Sequence, residues 1–291
     1  MASFNRIGLV ARVASDQVRE SLLTVEQFLF SKGVEIVVEQ VSAAALGGNN
    51  RAISSLEEMG ASCDLLIAVG GDGNILSTAR VMAPFGVPIL GINRGKLGFL
   101  ADVSPDEIEA RLGEVLSGDY TTEEHFLLEG EVEGHDEVPC ALNEILIHSV
   151  NMPKMIEVEL YVNDQFVYTL NSDGLIVSSP TGSTAYALSA GGPIMHPSLD
   201  AIVLVPMFPH SLNNRPLVVP GGDEIRVVIG SDTQMKAKVS FDSHLEFQIE
   251  PGDSLLIRKK PEHLVLVHPP GHSFYGACKS KLDWASRNTN H

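Results

Sequence analysis

The sequence predicts an α/β fold joined to a β fold: an N-terminal Rossmann-like α/β domain, then an antiparallel β-sandwich-like domain, with the C-terminal segment returning to the first. Three observations predict it. Up to about residue 120, short apolar runs alternate with helical periods, as βαβ units do. After Tyr120 the helical periods give way to short alternating runs broken by turn signals. Near the C-terminus a helical spacing reappears at Tyr275, Cys278 and Leu282. The expected domains are residues 1–122 with 268–291, and residues 123–267.

The elements follow in order. Ile7 to Val13 reads as a strand. Asp16 is placed to cap a helix with apolar positions at Val18, Leu22, Val25 and Leu29, and Gly33 lies just past its end. Val34 to Val41 is rich in β-branched residues and reads as the second strand. Asp64 to Val69 reads as a third, buried on both faces, and Val87 to Ile92 as a fourth. Between these last two, Ile75 to Met82 reads as a helix. Ser104-Pro105-Asp106-Glu107 has the form of a capping box with proline at the first helical position. In the second half, Met155 to Val162 alternates as a strand does, and Asn163-Asp164, Asp173-Gly174, Pro220-Gly221-Gly222 and Pro251-Gly252 mark turns. The last residues, Arg287 to His291, read as a frayed end.

Composition excludes several function classes. With 44% apolar and 20% charged residues in 291, the chain has enough apolar material for a large core. The apolar runs Leu65–Val69 and Ala201–Phe208 are too short to span a bilayer. Met1 to Arg6 lacks the layout of a signal peptide, so a cytoplasmic protein is expected. A net charge of −17, with no basic run longer than Arg258-Lys259-Lys260, disfavours nucleic acid and anionic membranes as partners. Cys63, Cys140 and Cys278 are far apart and odd in number, which argues against a disulfide framework or a Cys-x-x-Cys metal site. Among the ten histidines no His-x-x-x-His or His-Glu-x-x-His spacing is read, and no direct protein ligand to a metal is expected.

The sharpest local feature is Gly70-Gly71-Asp72-Gly73, between a buried strand and a helix. Glycines there let the backbone approach a phosphate and aim N–H groups at it. A carboxylate among them would repel phosphate unless it holds a metal or takes a proton from an attacking hydroxyl. The plain alternative is a tight turn with Asp72 as a helix cap. A Gly-x-Gly-x-x-Gly fingerprint is excluded by Leu76, and a P-loop by the short spacing in Gly91 to Lys96 with Leu97 after it. Asn93-Arg94-Gly95-Lys96-Leu97-Gly98-Phe99-Leu100 follows the next strand, with Arg94 and Lys96 either neutralising nucleotide phosphates or solvated as ordinary loop charges. Asn143-Glu144 interrupts an apolar run; an amide beside a carboxylate suits a ribose diol, or else faces outward opposite a cation. Asp173-Gly174 leads through Ser178-Ser179-Pro180 into Thr181-Gly182-Ser183-Thr184-Ala185-Tyr186, whose hydroxyls suit a polyhydroxylated or phosphorylated ligand, or else form a capped turn. No Gly-x-Ser-x-Gly elbow is present. His244 lies at an apparent turn and reads first as a surface residue.

In order and spacing, these four segments resemble the NAD kinase family over nearly the whole chain, and Ala187 to Ile194 and Leu204 to His210 resemble its proteobacterial branch. Asn74, Ser179 and Asn171 stand where the family often carries other residues. The resemblance implies phosphorylation of NAD at its adenosine ribose 2′-hydroxyl by ATP, with a divalent metal, Mg2+ foremost. It implies NAD held between the domains, with Asp72 as the base and Gly73 beside it. Asn143 and Glu144 would hold the adenosine half and Asp173 the nicotinamide amide. Phe99, Thr181, Thr184, Ala185, Tyr186, Ala187, Leu188 and Ser189 would line the dinucleotide pocket, with His244, Lys154 and Asn171 as further contacts. Gly70, Gly71, Gly73, Asn93 and Arg94 would face ATP phosphates. A homodimer or homotetramer is implied too. Two rivals stand beside this reading: a lipid or sugar kinase sharing Gly-Gly-Asp-Gly, and a non-catalytic NAD sensor.

Overall fold

A computed structural model describes residues 4–12, 15–47, 51–94, 98–150, 155–211, 213–231 and 236–284. The chain divides into two compact units: one runs through Glu124 and resumes at Leu264, the other is His125–His263.

The first unit begins β1 (Arg6–Val10), α1 (Asp16–Ser31), β2 (Glu35–Glu39), α2 (Gln40–Leu46), β3 (Ala52–Ser54), α3 (Leu56–Ser62), β4 (Leu65–Gly70), α4 (Asp72–Met82), β5 (Ile89–Asn93) and α5 (Ile108–Leu116). Helix α1 buries the predicted stripe Val18, Leu22, Val25 and Leu29. Its cap is Ser15, not Asp16: the Ser15 hydroxyl accepts the Val18 N–H at 3.2 Å, and Asp16 becomes the first helical residue, favoured there by the helix dipole. The second strand is shorter than expected because Glu39 turns to cap α2, accepting from the N–H groups of Val41 and Ser42. The three-residue β3 and the short α2 and α3 carry too little periodicity to be read from sequence. The strand expected third is therefore fourth. The box expected at Ser104 does not form; Pro105–Glu107 make a 3₁₀ turn without a side-chain cap, and α5 starts at Ile108. Strands pair in parallel in the order β5-β4-β1-β2-β3. Helix α1 and α5 pack on this sheet through Leu22, Leu29, Leu112 and Val115 against Leu9, Ile67, Leu90 and Ile92. The chain runs one way from β1 to β2 and the other way to β4, so the ends of β1 and β4 form the topological switch point, where open α/β sheets bind ligands.

The second unit is a β-sandwich. Its strands are β6 (Thr121–Val132, entering from the first unit), β7 (Cys140–Ala141), β8 (Glu144–Ser149), β9 (Ile156–Val162), β10 (Gln165–Ser172), β11 (Gly174–Ser178), β12 (Ala201–Met207), β13 (Leu217–Pro220), β14 (Ile225–Ile229), β15 (Ala237–Phe241), β16 (Leu245–Ile249) and β17 (Ser254–His268). A short helix, α6 (Tyr186–Ser189), interrupts them. One sheet has the order β13-β12-β11-β8-β15-β16, all antiparallel. The other runs β10-β9-β14 and then the first part of β17. Ile145, Ile147, Leu175, Val177 and Phe241 of the first sheet pack against Val158, Leu160, Val227, Leu255 and Ile257 of the second. Strand β11 is buried throughout, because Ile176 on its other face meets Val203, Val205, Met195 and Ala187.

At its end β17 belongs to the first unit, where Leu266 pairs in parallel with Ile89 of β5. The chain then forms α7 (Phe274–Lys281), capped by Ser273, as the returning helical spacing predicts.

Candidate active site

In the first unit, β4 delivers Gly70 to Gly73 at the switch point. Gly70 has φ 155°, a region that glycine alone visits readily, and Gly71 caps α4 with no side chain to offer. Asp72 is therefore not the cap; it is the first residue of α4. Among the described residues, a Cβ at Gly71 or Gly73 would meet nothing within 4 Å, so none of them requires glycine at either place.

The Asp72 carboxylate is held by the loop after β5. Its Oδ2 accepts the Phe99 N–H at 2.8 Å, and its Oδ1 accepts those of Leu100 and Ala101 at 3.2 Å each. The Lys281 ammonium adds a fourth donor, 3.3 Å from Oδ2. A Cβ at Gly98 would fall 1.9 Å from Asp72 Oδ1, so glycine is required there for the carboxylate to seat. Beneath the loop, the Asn74 amide donates to the Val10 and Val69 carbonyls, at 3.2 Å each, tying β1 to β4 at the switch point. Asn93, buried at the end of β5, donates its N–H to Val103, and the Arg94 N–H goes to the Gly70 carbonyl. The Arg94 guanidinium is turned to α1, 2.6 Å from the Ser21 hydroxyl and 3.0 Å from Glu20. A phosphate would have to draw it away from both. Lys96, with Gly95 and Leu97, lies outside the described residues.

In the second unit, Glu144 begins β8, with Asn143 just before it, against the turn after β15. Asp242 and Ser243 there have φ 48° and 53°, in the left-handed region. Asp242 accepts the N–H groups of Leu142 and Asn143 at 2.8 Å and of Glu144 at 3.2 Å. Glu144 is buried, and its Oε2 has no hydrogen-bond partner among the described residues. Burial first, and the Asp242 charge second, push its carboxyl up to about 8. It is thus an uncharged acid at neutral pH, offering one donor and open acceptor positions. His244 is exposed in the same turn.

The hydroxyl-rich segment is packed against Asn143. Ser178 Oγ and the Ser179 N–H both donate to the Asn143 carbonyl, and a Cβ at Gly182 would fall 2.2 Å from that oxygen. Ser179 Oγ donates to Leu142, Ser183 Oγ to Pro180 and Thr184 Oγ1 to Thr181, while Thr181 Oγ1 is 2.8 Å from His125 Nδ1. Most of these hydroxyls donate to carbonyls of the loop and of the β8 start. Ala187 is fully buried, its methyl in the core and its carbonyl accepting the Gly192 N–H at 2.8 Å. Tyr186 and Ser189 are exposed, and Thr184, Ala185 and Leu188 partly so. Asp173 lies at the end of β10, its N–H on the Met207 carbonyl, and Asn171 reaches Glu157 at 3.3 Å. Lys154 lies outside the described residues.

Sequence reasoning passes over four features. Asp242, Gly98 and Lys281 are ordinary residue types whose roles appear only through partners far along the chain. The fourth corrects an expectation: a His-x-x-x-His spacing does occur, at His268 and His272. Both Nδ1 atoms meet Asp102 Oδ2, at 3.0 and 2.8 Å, in a group of three that lies close enough to invite a metal reading. The rings, however, stack at 3.6 Å and 20°. Their lone pairs then run nearly parallel, and an ion about 2.1 Å from both nitrogens would lie well out of both ring planes. The arrangement fits a hydrogen-bonded clamp that fastens the returning segment to the loop after β5. Burial raises the Asp102 carboxyl, but its bonds to the two histidines outweigh this and bring it down to about 2. Burial lowers His272, and its bond to Asp102, with the Asp102 and Glu123 charges, raises it on balance above its ordinary value.

Two family models match the chain: the ATP-NAD kinase N-terminal domain over residues 7–120 and the ATP-NAD kinase C-terminal domain over residues 142–269. A protein of Hahella chejuensis named NAD kinase is 50% identical over 289 residues, 98% of each chain. One of Teredinibacter turnerae with the same name is 49% identical over the full length of both. Among solved structures, yeast NADH kinase complexed with NADH superposes with a TM-score of 0.88 at 26% identity, covering 98% of this chain and 89% of that one. An Archaeoglobus fulgidus NAD kinase in complex with ATP gives 0.70 at 29% identity, covering 90% and 92%.

Proposed function

The chain belongs to the NAD kinase family, and from that premise we propose that it transfers the terminal phosphoryl group of ATP to the adenosine ribose 2′-hydroxyl of NAD, giving NADP and ADP. The observation that carries this is Asp72, fixed by the loop after β5 at the start of α4, where a Cβ on Gly71 or Gly73 would meet none of the described residues within 4 Å. In the reaction the 2′-oxygen forms a bond to the γ-phosphorus, the bond from that phosphorus to the ADP oxygen breaks, and the hydroxyl proton passes to Asp72. The exposed N–H groups and dipole at the start of α4 suit the phosphates. Asn143 and Glu144 would hold the adenosine half, the neutral Glu144 acid giving one ribose hydroxyl a donor and the other an acceptor. Asp173, Tyr186 and His244 would meet the rest of the dinucleotide.

Among the described residues, the Asp72 oxygens accept from three N–H groups and Lys281, and Asp102 Oδ2 is engaged by both histidines, so this reading assigns neither carboxylate as a metal ligand. A divalent ion would arrive on the ATP phosphates, and no step is routed through a protein ligand to it. A cytoplasmic location and a homodimer or homotetramer complete the reading. Matches along the full length disfavour a lipid or sugar kinase.

The test is an assay of purified protein with ATP, magnesium and NAD, with NADP read through an NADP-specific dehydrogenase and NADH run as a second acceptor. NADP should form, and Asp72→Asn should abolish turnover while NAD still binds. Binding of NAD with no product, under any donor or metal, would favour a sensor.

A further inference from the structure

The returning segment places a cation on the residue that the proposed chemistry needs most. Helix α7 is fixed by Cys278, which is fully buried, and by Phe274, whose ring lies 6.4 Å from that of Phe99. Its last residue, Lys281, then reaches back over the Phe99 ring, with Nζ 4.3 Å from the ring centroid and 3.3 Å from Asp72 Oδ2.

A carboxylate has about four lone-pair positions. On Asp72, three are taken by the N–H groups of Phe99, Leu100 and Ala101, and the fourth by Lys281. The main-chain donors cannot leave without unravelling the loop. The ammonium rides on a flexible four-carbon stem and can move aside. An acceptor hydroxyl that gives its proton to Asp72 needs one of these four positions. The displaceable one belongs to Lys281.

We propose that Lys281 is a positioning residue for phosphoryl transfer: it holds Oδ2 of Asp72 open for the acceptor hydroxyl and yields that place when the hydroxyl arrives. This rests on the reading of Asp72 as the proton acceptor. Two anions, the Asp72 carboxylate and the ATP phosphates, must close on one hydroxyl in an already acidic protein, and like charges oppose that approach. Among the described residues, Lys281 is the cation within ion-pair distance of Asp72. Displaced but still tethered, it stays beside the reacting hydroxyl and offsets both charges. Its contribution grows as the phosphoryl group closes, so its loss falls on kcat rather than on NAD binding.

The experiment compares Lys281→Met, Lys281→Arg and Asp72→Asn in the full chain, by steady-state kinetics in NAD and by thermal unfolding. Lys281→Met keeps the stem and removes the charge. Its kcat should fall about 10- to 100-fold, the scale of one charged hydrogen bond, with KM for NAD little changed. Lys281→Arg should recover most of the loss. A normal kcat in Lys281→Met beside an inactive Asp72→Asn overturns the role of Lys281 and leaves Asp72 standing. Normal turnover in Asp72→Asn removes the proton acceptor and this proposal with it. A Lys281→Met loss shared between KM and kcat, or one tracking a lower unfolding temperature and not recovered by Lys281→Arg, assigns the lysine to holding α7 and also overturns the proposal.

Discussion

Glu144 and Gly98 show how single residues set the chemistry. An acid raised to about 8 is stabilised in its neutral form by the fold. Between the ordinary carboxylate range and about pH 8 the unfolded chain gives up this proton and the native chain keeps it. Stability therefore falls as pH rises through that window and then levels off. Glu144→Gln removes the titration and keeps the shape. Its stability relative to the natural chain should rise from pH 4 to pH 8, by on the order of a few kcal/mol, and stay constant above. Denaturant melts at pH 4, 6 and 9 would show it; an equal gap at all three rules it out. At Gly98 the reasoning is steric. A methyl 1.9 Å from Asp72 Oδ1 forces the carboxylate off its three N–H donors. Gly98→Ala should reduce turnover about 100-fold or more, as misplacing a reacting group does. A Gly98→Ala enzyme with normal kcat would show that the seat of Asp72 is not needed.

At the scale of elements, the loop after β5 is the piece on which the first unit's site depends. It supplies three donors to Asp72 and, through Asp102, fastens the segment that carries α7. The clamp has a pH window. Asp102, lowered to about 2, contributes stability above its ordinary pKa that is lost as pH falls toward 2. His272, raised, contributes stability that is complete below its ordinary 6.5 and is lost as pH climbs through its folded value. The difference in unfolding temperature between the natural chain and Asp102→Asn should be largest between about pH 4 and 6.5 and shrink above it. A difference that grows from pH 6 to pH 9 would contradict the clamp. The sandwich shows the same dependence on a turn: Asp242, left-handed between β15 and β16, gathers the N–H groups that open β8 and so places Glu144.

At the scale of the whole molecule, each unit has its own large core among the described residues, an apolar α/β layer in one and a β-sandwich in the other. The sequence by itself determined the fold class, because period 3.6 and period 2 are written in the side chains and change near Tyr120. It determined the family through four motifs, and it marked Asp72, since a carboxylate among glycines after a buried strand has few uses. The short β3, α2 and α3 stayed hidden, because a handful of residues holds too little periodicity to read. Only the tertiary structure decided which hydroxyls of Thr181 to Thr184 turn inward, that Glu144 is a neutral acid, and that Lys281 and Asp72 meet across 209 residues of chain. The physical reason is the same in each case. Local patterns record which face of an element is buried, whereas burial, charge and hydrogen bonding at a site depend on partners that folding alone brings within a few ångströms.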